Sequence, residues 1–143
     1  ANPPSMLEAI NAFCERTGQE KPENDAQVIR LIFESLALRY RQVLEDLDRI
    51  ATHPIERLHI IGGGSKNRLL NQLTANAIGR KVVAGPSEAT AIGNVMIQAM
   101  AAGVVSSLQE MRSIIHASVE TEEFAPELVA EWEEAYQKFV TLK

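Results

Sequence analysis

One stretch limits what this chain can fold into more than any other: residues 58–79, LHIIGGGSKNRLLNQLTANAIG. An apolar run stops at Gly62, Gly63 and Gly64, and helical periodicity begins at once. RLHII, residues 57–61, is apolar on both faces, which suits a central strand covered on two sides. After the glycines, Leu69, Leu70, Leu73 and Ala77 recur at helical steps. Ser65 is placed to cap that helix at its start and Gly79 to end it. KVVAG, residues 81–85, is a second short strand stopped by Gly85-Pro86. Strand, helix, strand is a βαβ unit whose two strands run parallel. The chain is therefore of the α/β class.

Three residues without side chains, set between two elements that need side chains to pack, ask for a reason. Glycine reaches positive φ without penalty and lets a flat ring or a phosphate lie against the backbone. The helix start adds unpaired N–H groups and positive potential. Together these make a nucleotide-site arrangement. It is not a P-loop, because no Lys-Ser/Thr pair follows at the right distance. Nor is it the dinucleotide fingerprint, because Asn67 stands where the third glycine belongs. A tight turn with no ligand would show the same glycines, so they do not decide the matter alone.

The rest of the chain is helical. Ser5 and Glu8 have capping-box spacing ahead of a short helix in which Leu7, Ile10 and Cys14 share a face, closed by Gly18. Residues 24–51 read as a long helix capped by Asn24 or Asp25, with Val28, Ile29, Ile32, Leu36, Tyr40, Val43, Leu44 and Leu47 in its apolar stripe. SEATAIGNVMIQAMAAG, residues 87–103, is a helix dense in small residues. Ser107 and Glu110 open another that runs to about His116. Pro126 suits the first position of a last helix, in which Leu128, Val129, Trp132, Tyr136, Phe139 and Val140 form the apolar side. ETEEFAPE, residues 120–127, reads as a solvated loop. The expected order is α-α-β-α-β-α-α-α. Two strands alone are marginal and leave two open edges. The chain is thus expected either to pair with another copy of itself or to belong to a larger protein. The opening ANPPSM, with no initiator Met, reads as the interior of a longer chain.

With 143 residues the chain has the size of one domain. A net charge of −5, with Lys and Arg scattered, gives no electrostatic footprint for nucleic acid. No apolar stretch approaches the ~18 residues of a membrane span, and the N-terminus does not read as a signal peptide. Cys14 is the only cysteine, so no internal disulfide forms, as in a reducing cytoplasm. His53, His59 and His116 have no ligand-like spacing to one another or to Cys14, and no metal site is expected.

Residues 58–103, LHIIGGGSKNRLLNQLTANAIGRKVVAGPSEATAIGNVMIQAMAAG, closely resemble the adenosine-binding segment of the FGGY-family sugar kinases, in the actin/hexokinase/Hsp70 superfamily. Upstream, Arg30, Glu34, Ser35, Leu36 and Ala37 fill the places of that family's R-x-x-x-E-S/G-[LIV]-A helix. NPPSM, FESLALRY, LHIIGGGSKNRLLNQ and VVAGPSEATAIGN, with Asn94 in the last, single out one subgroup of the family. The likeness runs from residue 2 to about residue 125.

The resemblance implies part of an actin-like, ribonuclease H-like ATPase domain: helix-rich, with a short parallel βαβ unit, the chain being a single C-terminal nucleotide-binding domain over residues 1–143. It implies ATP and Mg²⁺ for the intact enzyme, a sugar substrate, and a cytoplasmic location. Gly63 and Asn67 match the family's contacts to the adenine-ribose part of ATP; Gly62 and Gly64 complete the turn, and Ser65 caps the helix. Glu88 reads as a favourable carboxylate at a helix start. The family's D-x-G-T/S phosphate hairpin and its catalytic aspartate lie upstream, so no catalytic residue is expected here and residues 1–143 alone are expected to be inactive. The sugar contacts lie upstream too, which leaves neighbouring specificities such as xylulose and fuculose open. A non-catalytic interaction module built on the same half-fold also stays open.

Overall fold

The structure, a computed structural model, describes residues 3–142. The elements run α1 (Met6–Arg16), α2 (Asp25–Asp48), β1 (Arg57–Ile60), a 3₁₀ turn (Gly63–Lys66), α3 (Arg68–Ile78), β2 (Lys81–Ala84), α4 (Ala89–Ala101), α5 (Leu108–Ser118), β3 (Glu122–Phe124) and α6 (Val129–Thr141). Asn2, the first residue of the NPPSM stretch, lies outside the described residues.

Local chemistry accounts for most boundaries. Ser5, Asn24 and Ser107 each accept a hydrogen bond from the backbone N–H three residues on, so each satisfies one orphan donor of its helix. Gly79 ends α3 in the left-handed conformation, φ 63°. Glu110 departs from the reciprocal capping box. Its carboxylate accepts from Ser106, at both N–H and hydroxyl, and those bonds hold it below the usual carboxylate range.

α3 is the centre of the molecule. One side of it meets the sheet, where Ala75 and Ile78 pack with Val82, Ala84 and Phe124, and with Leu44 of α2. The other side meets α2 and α6, where Leu73 and Ala77 pack with Ala37, Leu38, Trp132 and Tyr136. A helix covered all round buries polar residues as well, and each must find partners. Thr74 donates its hydroxyl to the Leu70 carbonyl, and Asn76 accepts from Gln72 Nε2 and Glu127 N. The same side of α2 carries an ionic cluster beside the apolar contacts. Arg41 pairs with Glu45 at 3.0 Å and Glu133 at 2.5 Å, and its guanidinium lies 3.9 Å from the Tyr136 ring centre. Arg80, at the start of β2, holds Asp48 with two bonds of 3.0 and 2.6 Å and donates to the Ile55 carbonyl. This ties the end of α2 to the sheet.

The sheet has three strands, in the order β1-β2-β3. β1 and β2 are parallel, with Leu58 opposite Val82 and Ile60 opposite Ala84. β3 is antiparallel to β2 and comes from the acidic run expected to be a loop. Phe124 is the reason. It is the one large apolar residue in that run and is buried against α3, while Glu123 pairs with Lys81 across the strands at 2.8 Å. The two-strand expectation is corrected accordingly: the central strand is β2, covered on both edges, whereas β1 is an edge strand of alternating exposure.

Helix faces differ from expectation too. Leu36, Tyr40 and Val43 of α2 are exposed, and the buried residues are Ala37, Leu38 and Leu44. α2 also stops at Asp48, short of residue 51. α6 starts at Val129 after Leu128, whose φ of 52° is left-handed, so Pro126 lies ahead of the helix and not at its first position. In α6 only Trp132 and Tyr136 are buried, and Leu128, Val129 and Val140 are exposed. α4 buries none of its residues and packs chiefly on α5.

Candidate nucleotide site

The glycine turn sits at the carboxyl end of β1, beside the loop that leaves the carboxyl end of β2. Ligands of open α/β sheets bind in such crevices. Two backbone bonds lock the loops together: Gly85 N–H donates to the Ile60 carbonyl at 2.8 Å, and Gly62 N–H donates to the Pro86 carbonyl at 3.0 Å. Gly85-Pro86 is a cis peptide, and Gly85 has φ 110° with the Glu120 carbonyl 3.0 Å from where a Cβ would stand. No side chain fits at that position.

Gly62 has φ 75° and ψ −163°, a region open essentially to glycine alone. Gly63 takes no positive φ, and a Cβ built on it meets nothing within 4 Å. The two glycines do separate jobs. Gly62 makes the turn; Gly63 keeps a surface bare. The N–H groups of Gly63 and Gly64 take no backbone partner among the described residues, so they stay available as donors.

Ser65 and Asn67 exchange the roles expected of them. The turn is a 3₁₀ turn, and α3 begins only after it, at Arg68. Asn67 is the helix cap, its Oδ1 accepting from Leu70 N–H at 3.0 Å. Ser65 does not cap the helix; its hydroxyl donates to the Gly62 carbonyl at 2.7 Å and closes the turn on itself. With Oδ1 engaged, the free hydrogen-bonding capacity of Asn67 is its Nδ2 donor. Beneath the turn, fully buried Asn71 donates from Nδ2 to the Ser65 carbonyl at 2.8 Å. Sequence reading missed Asn71, Thr74 and Asn76, because polar residues facing into a core break the apolar period that marks a buried face.

Glu88 is exposed and stands at the start of α4 without bonding the helix's N–H groups through its side chain. Arg68 pairs with Glu122 at 2.6 Å. Among the described residues no three His, Cys, Asp or Glu side chains gather as a metal site. Among the described residues no helix is long and apolar enough to cross a membrane.

A separate groove of about 810 Å³ lies between α1, α2 and α6, lined by Ile10, Phe13, Leu31, Leu38 and Phe139. Its charged members are all engaged, Arg30 with Glu34 and Lys138 with Glu134. It presents no converging set of free polar groups of the kind that orients a substrate.

Residues 1–102 match the family described as FGGY family of carbohydrate kinases, C-terminal domain. The chain belongs to the FGGY family of carbohydrate kinases. This FGGY chain is 58% identical over 139 residues, 97% of its length, to a rhamnulokinase of Bacteroides thetaiotaomicron, of which it covers 29%. It is 46% identical over 87% of its length to a rhamnulokinase of Klebsiella pneumoniae subsp. pneumoniae, covering 26% of it. A rhamnulokinase of Pectobacterium atrosepticum is 41% identical over 99% of the chain, which spans 28% of that protein. Rhamnulokinases are the subgroup that NPPSM, FESLALRY and the two glycine stretches singled out. Among solved structures, a xylulose kinase from Rhodospirillum rubrum superposes on 88% of the chain, and on 26% of its own, with a TM-score of 0.66 at 24% identity. That likeness shows the fold alone: the chain is built like a piece of that kinase. The FGGY chain spans between a quarter and a third of the length of these relatives.

Proposed function

We propose that residues 1–143 form a single C-terminal nucleotide-binding domain of a larger sugar kinase, and that this segment supplies the adenosine wall of its ATP site. The reaction would be transfer of the γ-phosphoryl group of Mg-ATP to O1 of L-rhamnulose. The observation that carries the reading is the bare glycine turn, tied at Gly62 to the Pro86 loop with the amides of Gly63 and Gly64 left without backbone partners. A flat ring can lie on Gly63, two amides can donate to it or to the ribose, and Asn67 Nδ2 adds a third donor. Gly64 and Ser65 hold the turn. These residues bind and orient; none of them accepts the sugar's proton. Phosphoryl transfer also needs phosphate clamps, Mg²⁺ and a positioned base, which the family resemblance places upstream. The choice of L-rhamnulose over xylulose or fuculose rests on the rhamnulokinase relatives.

The test uses the intact protein that carries this segment. With Mg-ATP it is expected to phosphorylate L-rhamnulose in preference to L-fuculose and D-xylulose, while residues 1–143 alone turn over none of them. Preference of the intact protein for another ketose would overturn the substrate. Turnover by the segment alone would overturn the division of labour.

A further inference from the structure

Asn71 is among the most deeply buried side chains of the molecule, at 0% exposure, and it is a polar one. Its amide splits into two unequal halves. Nδ2 donates to the Ser65 carbonyl, six residues back and inside the glycine turn. Oδ1 is buried with no partner among the described residues. Leaving a buried acceptor unpaired costs stability that an apolar side chain of similar size would keep. Packing alone therefore does not account for an asparagine here.

What the amide does is hold the turn from below. Ser65 is the turn's keystone: its N–H and its hydroxyl both donate to the Gly62 carbonyl. The third polar group of Ser65, its carbonyl, is held by Asn71. Asn71 is itself fixed to the other end of the turn, since its backbone N–H donates to the Asn67 carbonyl. One residue thus bears on both Ser65 and Asn67, which bracket the bare surface.

We infer that Asn71 is a positioning residue for the nucleotide wall, its buried amide setting the turn so that the Gly63 and Gly64 amides and Asn67 Nδ2 face one ligand together. The inference rests on the adenosine-wall reading given above. Asn71 touches no ligand in this scheme; it acts through Ser65.

Two variants of the intact kinase test it, with ATP and L-rhamnulose binding measured by calorimetry. Asn71→Leu keeps the number of side-chain heavy atoms and their branching and removes the donor. Loss of one net hydrogen bond's worth of order should weaken ATP about five- to tenfold, with sugar affinity unchanged and the melting temperature close to that of the parent. Asn71→Asp supplies a built-in rescue. Burial raises a carboxyl's pKa, so at the acid end of a range from about pH 5 to 9 the group is protonated and its O–H can donate to the Ser65 carbonyl. As pH rises, a carboxylate faces that carbonyl and the bond is lost. ATP affinity of the Asp variant, relative to the parent, should therefore fall with rising pH, while the Leu variant shows no such trend. A role in packing alone would give neither this profile nor a selective loss of ATP. Parental ATP affinity in the Leu variant, equal weakening of ATP and sugar, or a flat relative profile for the Asp variant would overturn the inference. Should the Leu variant not fold, the Asp profile decides. If the parent itself binds no ATP, it is the nucleotide reading that fails, which is a different outcome from a parent that binds ATP and variants that bind it equally.

Discussion

Gly62 and Gly63 are adjacent and identical, yet they owe their identity to different forces. At Gly62 the constraint is the backbone. Its φ of 75° and ψ of −163° cost any other residue on the order of 1–3 kcal/mol. At Gly63 the backbone is ordinary and the space around a Cβ is open, so the constraint can come only from what approaches. The strained backbone is at Gly62 and not at Gly63. Gly62→Ala should lower unfolding stability by about 1–3 kcal/mol. Gly63→Ala should move it by no more than about 0.5 kcal/mol, as an exposed substitution does. Gly63→Val should leave the fold intact and weaken ATP binding in the intact kinase. Denaturant midpoints on the chain and calorimetry on the intact protein check the pair; a Gly63→Val kinase with parental ATP affinity would remove the adenine surface from this turn.

At the scale of elements, α2 shows how far the sequence could be read. Its existence, its Asn24 cap and its approximate length were legible, since caps and periodicity are local. Of its buried face only Leu44 was, while Ala37 and Leu38 were not. Apolar residues occur on more than one side of the helix, and periodicity alone does not say which side the rest of this chain covers. Leu44, 5% exposed and packed on Ala75 and Val82, should cost about 2–5 kcal/mol when changed to alanine. Leu36, 37% exposed, should cost clearly less. Equal shifts in the denaturant midpoint would contradict this layering. β3 was illegible for a related reason. Three residues with two glutamates carry no strand signal, and the strand exists because Phe124 finds α3 in three dimensions. The existence of the glycine turn and of both parallel strands was legible, because a βαβ unit announces itself in neighbouring residues; the edge position of β1 and the cap at Asn67 were not. Tyr136 gives α6 and α2 a pH-dependent link. Burial first, and then its hydrogen bond to Glu45 at 2.7 Å, push its hydroxyl up to about 12 from an ordinary value of 10.0. The neutral phenol is favoured in the folded chain. That contribution is complete below pH 10 and is lost as pH rises toward 12. Tyr136→Phe should flatten this part of the stability curve in denaturant titrations; an unchanged slope between the two would detach the phenol from the effect.

At the scale of the whole molecule, β3 covers one side of β2 and becomes an edge strand itself, and α4 and α5 bury none of their residues. α4 has thirteen residues and buries none of them; Val95 is 64% exposed, and Ile97, on another side of the helix, and Val104 in the turn that follows are exposed too. Apolar surface of this extent marks a contact region. The outer edges of β1 and β3 are also open among the described residues, but both are short, and exposed Arg57 and His59 on β1 and the two glutamates of β3 are how natural edges resist pairing. Of these features, α4 is the stronger driver of association. Residues 1–143 in isolation should therefore self-associate at micromolar concentration, and the association should persist in high salt because it is apolar rather than ionic. A double substitution, Val95→Glu with Ile97→Glu, should return the chain to a monomer, whereas His59→Pro on the β1 edge should not. Light scattering across a salt series reads all three proteins. A parent that stays monomeric, or a monomer produced by His59→Pro and not by the α4 pair, would show that the open helix is not where this chain meets its neighbours.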